Sequence, residues 1–404
     1  MMLPPSATPD AARLVTARAL RGFADGLISV YLAAYLKLLG FSPFEIGAIV
    51  TAMLVGSAML TLMVGLVAHR LNARRVLFGA TGLMAATGAG FALFTDFWPL
   101  VIVGFLGTLN ASSGDVSVFL PTEQALLVGE VASKERTALF ARYSFGGAIF
   151  GAFGALLSGV PERAADVFGL DLTTAFRAGF VLYGVIAFAI FALYRGMRHG
   201  LASPIAPAVT NTRLKRPRPV VLRLTALFAL DSFGGGFAVD TLLALWLFLR
   251  FGLSLQAAGA VFFGMRILSA LSLLVSPRLA NRFGLIETMV FTHIPANIFL
   301  ILAAFMPNAQ LTIMFLLFRM ALSQMDVPAR QSYVMAIVPA EERAAAASMT
   351  NVPRSLASAF SPLLAGWLLQ VSSFGWPLVV GGAIKIVYDV LLLVQFRHIR
   401  PSDI

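Results

Sequence analysis

Apolar stretches of about 20 residues, the length a helix needs to cross the hydrocarbon core of a bilayer, recur twelve times along the chain. They begin near Ala17, Phe44, Val76, Trp98, Ala138, Phe176, Leu222, Leu255, Glu287, Leu311, Ala345 and Pro377. Only 12% of the 404 residues are charged and 59% are hydrophobic, whereas about a quarter of a water-soluble chain is charged. So little polar surface cannot cover a soluble body of this size. Membrane lipid supplies the missing apolar solvent.

The same pattern disposes of other classes. The net charge of +11 would point to nucleic acid in a soluble protein. Here the basic residues lie between apolar segments, so no nucleic-acid partner is expected. The absence of cysteine excludes disulfides, thiolate metal sites and cysteine nucleophiles. Met1–Asp10 is Pro-rich and polar, and the first apolar segment carries Arg21 and Asp25. That is unlike a cleavable leader, so the segment reads as the first spanning helix.

Charge between the helices orients them. Arg195–Arg223 contains seven Lys or Arg and no acid. Arg70, Arg74, Arg75, Lys134, Arg136, Arg278, Arg282, Arg343, Arg397 and Arg400 fall on the same side. Met306–Gln310 and Val371–Trp376, on the other side, carry no charge. The excess of positive charge on cytoplasmic loops puts both termini and the central loop in the cytoplasm. Ala- and Arg-rich, Lys-poor usage points to a bacterial inner membrane. Pro204, Pro207, Pro217 and Pro219 make the central loop a linker.

The chain also repeats itself. Leu20-Arg21-Gly22-Phe23 aligns with Leu230-Asp231-Ser232-Phe233, and Gly40-Phe41-Ser42 with Gly252-Leu253-Ser254. Ala68-His69-Arg70-Leu71 aligns with Ala280-Asn281-Arg282-Phe283. Pro121, Gln124 and Glu135-Arg136 align with Pro328, Gln331 and Glu342-Arg343, and Tyr194-Arg195 with Phe396-Arg397. Order is kept throughout, with small shifts in spacing. Two halves in the same orientation are therefore related by an axis along the membrane normal. The expected organisation is a six-helix bundle over 1–198, a cytoplasmic linker over 199–221 and a second bundle over 222–404. Turn chemistry agrees. Ser42-Pro43-Phe44-Glu45 is a capping box with proline at the first helical position, and Ser254 is placed to cap the eighth helix.

With these residues in view, the chain resembles the major facilitator superfamily over essentially its whole length. The family's motif between the second and third helices runs Gly, three residues, Asp or Asn, Arg, one residue, Gly, then basic residues. Gly65, Arg70, Arg74 and Arg75 match it, with His69 in place of the acid and Asn72 in place of the second glycine. The second copy reads Asn281-Arg282-Phe283-Gly284, with Pro277 at the first glycine position. The resemblance implies an all-α membrane protein of twelve transmembrane helices in two pseudo-symmetric bundles. It also implies a gate-side role for Gly65, Arg70, Asn281 and Arg282. Gly147, Gly151 and Gly154 in the fifth helix lack the proline of drug antiporters, and their spacing suits close helix packing.

In the family's fold the first, fourth, seventh and tenth helices line a central cavity, and intramembrane charges call for partners or functions. Arg319, Asp326 and Arg330 are spaced to form one stripe on the tenth helix, with Gln324 beside them. Asn110, Ser112, Asp115 and Glu123 occupy the fourth. Asn110, Ser112, Arg319, Gln324 and Asp326 are the candidate solute contacts. Asp115 and Asp25 are the candidate proton-coupling groups. Glu123, Arg330, Arg21 and Asp231 are candidate gate charges, with Glu123 and Arg330 expected to pair across the halves when the protein faces outward. The alternative for Arg21 with Asp25, Asp326 with Arg330, and Lys385 with Asp389 is local neutralisation one helical turn apart. His293 reads as scaffold, and Gly234-Gly235-Gly236 gives the seventh helix a place to bend or unwind.

No Walker lysine loop, Gly-x-Ser-x-Gly, His-Glu-x-x-His or Gly-x-Gly-x-x-Gly is present. No cofactor or metal is expected. The expected activity is secondary active transport of a small solute, coupled to H+, by a monomer embedded in lipid. A facilitator without proton coupling and a membrane-embedded enzyme or receptor are the alternatives.

Overall fold

The computed structural model describes residues 3–67, 71–110, 118–197, 218–336 and 343–397. Its elements are helices. In order they are α1 (Pro9–Leu38), α2 (Pro43–Val67), α3 (Ala73–Leu93), α4 (Phe97–Leu106), α5 (Phe119–Leu127), α6 (Arg136–Leu156), α7 (Val160–Phe168) and α8 (Leu172–Arg195). The second half holds α9 (Arg218–Gly236), α10 (Asp240–Phe251), α11 (Leu255–Phe283), α12 (Leu285–Phe305), α13 (Ala309–Leu322), α14 (Asp326–Ala336), α15 (Arg343–Val371) and α16 (Trp376–Phe396). Among the described residues, ten helical segments are long and apolar enough to span a membrane. The α4–α5 segment and α15 complete a set compatible with twelve. Leu93, Trp98, Phe188 and Val394 are each at least two-thirds exposed, at 73%, 70%, 67% and 73%. Such a surface suits lipid and not water. The protein is an integral, multi-pass membrane protein.

The expected turns form. Glu45 accepts from the Ser42 backbone N–H at 2.8 Å while the Ser42 hydroxyl accepts from the Glu45 N–H at 3.3 Å, and α2 starts on Pro43. Ser254 caps α11 through the Ala257 N–H at 3.2 Å. The repeat-equivalent Gly40 and Gly252 both have positive φ, 88° and 61°, ahead of these two starts. A side chain at either position would be strained. The first helix begins at Pro9 rather than near Ala17, because Thr8 caps it and proline preorganises its first turn. The short α7 is an addition that hydropathy did not mark.

The chain divides into two compact units, Met1–Pro207 with Ser254–Phe263, and Ala208–Leu253 with Gly264–Ile404. The same packing recurs in each. α1 packs most extensively on α6 in the first unit, as α9 does on α15 in the second. α3 packs on α8, as α12 does on α16. At α1–α6 the approach is set by glycine. A Cβ at Gly22 or Gly26 would collide with the backbone of Gly147 or Gly151, and one at Gly154 with the Phe23 carbonyl. The glycines of the fifth spanning helix thus serve close packing, as their spacing indicated.

Two helices that read as continuous are broken. α9 ends at Gly236 and α10 restarts at Asp240, so the glycine run does interrupt the seventh span. In the tenth span α13 ends at Leu322 and α14 starts at Asp326. Pro328 has no N–H to offer the Gln324 carbonyl four residues earlier, and its ring crowds that carbonyl.

Candidate functional site

In the first unit Arg21 of α1 meets Glu123 of α5 as a buried ion pair, 3% and 0% exposed. The phenols of Tyr143 on α6 and Tyr194 on α8 both donate to the Glu123 carboxylate. Arg21 Nη1 donates to the Tyr194 hydroxyl at 3.1 Å, and the guanidinium lies 4.3 Å from the Phe119 ring centroid. Four helices converge on one carboxylate. A buried charge without such partners costs several kcal/mol, and charge-assisted hydrogen bonds offset that cost here.

In the second unit the equivalent positions carry the opposite charges. Asp231 of α9 accepts from Arg330 of α14 at 3.2 Å. It also accepts from Lys385 of α16 at 2.7 Å. Arg330 has a second carboxylate, Asp326, at 3.0 Å. Lys385 Nζ lies 3.4 Å from His293 Nε2 on α12, and His293 Nδ1 lies 2.9 Å from Asp389 Oδ1 on α16. Asn297 Nδ2 is 3.3 Å from the same ring nitrogen. Arg354 of α15 donates to the Ser232 hydroxyl at 3.1 Å. Beside this network is a small cavity of about 50 Å³, lined by Arg330, Arg354, Gln331, Asn351, Thr350 and Phe228 among others.

Several sequence expectations change. Arg21 takes Glu123, 102 positions away, as its ion-pair partner, although Asp25 sits one turn along the helix. Asp25 itself lies in the electrostatic field of Tyr183, whose hydroxyl is 3.4 Å from Thr108 Oγ1. Lys385 and Asp389 do not neutralise each other: Lys385 reaches Asp231 and Asp389 reaches His293. Asp326 and Arg330 do pair locally. Arg319 is not continuous with that stripe, because the helix breaks between them; its Nη1 lies 3.5 Å from Met320 Sδ, and Asp240 is the acid whose field it feels. Asp240 is paired with Arg266 at 2.7 Å.

Glu123 and Arg330 are each held by partners in their own half. For a pair between them to form, both must first leave those partners. Gln324 falls in the break between α13 and α14 and is half-buried, as is Asn110 just past α4. Asn281 and Arg282 are exposed, with Arg282 5.2 Å over the Phe283 ring. A Cβ on Gly65 would meet nothing within 4 Å, so packing does not demand glycine there. Ser112, Asp115 and Arg70 lie outside the described residues.

Sequence reading passed over Tyr143, Tyr194, Arg354, and the joint role of His293, Lys385 and Asp389. One signal was available. Tyr194 stands in the repeated Tyr194-Arg195 element where the second half has Phe396, so only the first half brings a hydroxyl to that place.

The sequence profile of the Major Facilitator Superfamily matches residues 14–325. The chain belongs to this superfamily. An uncharacterized membrane protein of Saccharomyces cerevisiae is 23% identical over 410 residues, covering 93% of this chain and 92% of its own. Among solved structures, a bacterial homologue of the iron transporter ferroportin, in an inward-facing state, superposes with a TM-score of 0.76 at 15% identity, covering 95% of this chain and 98% of that one. A D-xylose-proton symporter gives 0.74 at 16% identity, covering 95% and 96%. These likenesses establish the major facilitator fold, and the family match supports solute transport.

Proposed function

We propose that this major facilitator protein is a secondary active transporter that moves a small solute by alternating access, coupled to protons. The observation that carries the proposal is the pair of buried ionic clusters at repeat-equivalent positions, Arg21–Glu123 and Asp231–Arg330. Ionisable groups at membrane depth cost several kcal/mol to keep and are retained where they act. In this reading Arg21, Glu123, Asp231 and Arg330 are gate charges that exchange partners as access alternates. Asn110, Ser112, Arg319, Gln324 and Asp326 contact the solute, and Asp25 and Asp115 are the proton-coupling carboxylates of the first half. Gly65, Arg70, Asn281 and Arg282 act on the gate side. The protein works as a monomer in a bacterial inner membrane with both termini in the cytoplasm.

The test is flux into liposomes containing the purified protein, with a panel of small solutes and with or without an imposed pH gradient. Accumulation that needs the gradient is expected. Flux indifferent to it makes the protein a facilitator. Asp115→Asn should abolish gradient-driven accumulation and spare counterflow exchange; normal accumulation by that variant removes Asp115 from the mechanism.

A further inference from the structure

The second unit holds one group whose charge changes most readily near neutral pH, the imidazole of His293, at a junction between two carboxylates. It is buried, 4% exposed. Nδ1 lies 2.9 and 3.0 Å from the two oxygens of Asp389. Nε2 lies 3.4 Å from the Lys385 ammonium and 3.8 Å from Asp231 Oδ1. An ammonium has donors only. Its approach to Nε2 therefore assigns that nitrogen as an acceptor, and the single ring proton to Nδ1, donated to Asp389. The geometry is that of a neutral imidazole whose basic nitrogen accepts from the Lys385 ammonium.

The surrounding charges are balanced in that state. α9 contributes Asp231; α14 contributes Asp326 and Arg330; α16 contributes Lys385, Asp389 and the ring of Tyr388, 6.0 Å from the imidazole. α15 contributes Arg354 next to Ser232. α13, on the other side of α12, brings only Arg319, which stands in the field of Asp240. Three acids, Asp231, Asp326 and Asp389, face three bases, Arg330, Lys385 and Arg354. A proton on Nε2 adds one uncompensated charge to a buried network, and it turns the acceptor facing Lys385 into a donor. Two donors cannot keep that contact.

Lys385 is the partner able to yield. Its stem is flexible and runs over the glycines at the break in the seventh span, where a Cβ on Gly234 would lie 2.9 Å from Lys385 Cγ. Asp231 Oδ1 then becomes the acceptor for the new Nε2–H.

We propose that His293 Nε2 is a proton-binding site of the second half, and that binding a proton there exchanges Lys385 for the imidazolium on Asp231. The proton comes from water and stays on the ring until released; no other bond changes. The exchange connects the outer helices α12 and α16 to Asp231 and Arg330, so a proton on a scaffold helix is felt at the gate charge of the seventh span. Its role in coupling rests on the proton-coupled reading above; the site itself does not.

The test uses the full chain in lipid nanodiscs with selectively ¹⁵N-labelled histidine and lysine. The chain has four histidines, and Lys37, Lys134, Lys215 and Lys385 are its lysines, so His293→Gln and Lys385→Gln assign the two signals. The proposal predicts the Nδ1–H tautomer at alkaline pH and an imidazolium after acidification. The Lys385 Nζ signal should move over the same interval and stop moving in His293→Gln. A neutral His293 throughout, an Nε2–H tautomer at alkaline pH, or a static Lys385 signal overturns it; all three are read on the wild type, and the variants serve only to assign its signals. Liposomes loaded with a pH-reporting dye separate the two claims. Co-titration together with solute flux that moves no protons removes the coupling role and leaves the site.

Discussion

Arg21–Glu123 and Asp231–Arg330 stand at equivalent positions of an internal repeat, yet one is a closed cluster and the other an open one. In the first half a single carboxylate, Glu123, is surrounded by a guanidinium and two phenols. In the second half Thr350 and Phe396 stand where the first has Tyr143 and Tyr194. The hydrogen bonds those phenols would supply come from Lys385 instead, while Arg330 gains Asp326 as a second counter-ion. Asp231 and Arg330 thus each have an alternative ionic partner. Losing one contact leaves a charge compensated there and stranded in the first half. Equal backbone positions therefore carry unequal freedom to rearrange.

The sharpest way to break this contrast is Glu123→Gln. It removes the carboxylate that the buried Arg21 pairs with, and about 3–5 kcal/mol of stability should be lost, read as a lower thermal midpoint in detergent. Tyr194→Phe removes one donor to a buried carboxylate and should cost about 1.5–3 kcal/mol. It also makes the first half resemble the second at that position. Asp326→Asn should cost less, about 1 kcal/mol, because Arg330 keeps Asp231. A loss as large as that of Glu123→Gln would show that the second network is no more tolerant than the first.

The smallest effect is at the surface of the first half. Glu135 accepts from the Ser6 hydroxyl at 2.6 Å and the Ser6 N–H at 3.2 Å. The hydroxyl chiefly, and the N–H after it, hold the Glu135 carboxyl below the usual carboxylate range. A lowered value in the folded state means that the contact stabilises above the ordinary carboxylate range and is lost as pH falls through the lowered value. Ser6→Ala should speed proteolysis ahead of α1 at neutral pH, and the gap to wild type should narrow in acid. The Ala132 N–H, which also donates to the Ser6 hydroxyl at 3.1 Å, leaves a remainder that does not titrate.

Topology was legible in the sequence because it rests on local and repeated features. Hydropathy marks the spans, Ser42-Pro43 and Ser254 mark their starts, and Gly40 and Gly252 mark the turns before them. Ion pairing was legible only where it is local, as for Asp326 with Arg330. Helical spacing offers Asp25 to Arg21 and Asp389 to Lys385, but burial favours the partner that packs against the charge, and α5 and α9 bring theirs from far along the chain. The Arg319 stripe failed for another reason. Spacing arguments assume an unbroken helix, and Pro328 breaks this one two residues before its own position. The glycine run at Gly234–Gly236 gave the corresponding break in the seventh span away, because three glycines in a row are costly in any helix.

A double-mutant cycle on Arg21 and Glu123, read by reversible unfolding, tests the contrast most directly, with the same cycle on Asp231 and Arg330 as its counterpart. The closed cluster predicts that Arg21→Gln with Glu123→Gln together cost about 2–3 kcal/mol less than the sum of the single changes. The shared network predicts a smaller coupling for Asp231→Asn with Arg330→Gln. Additivity at Arg21 and Glu123 to within about 0.5 kcal/mol, or an equal or larger coupling in the second half, contradicts the account.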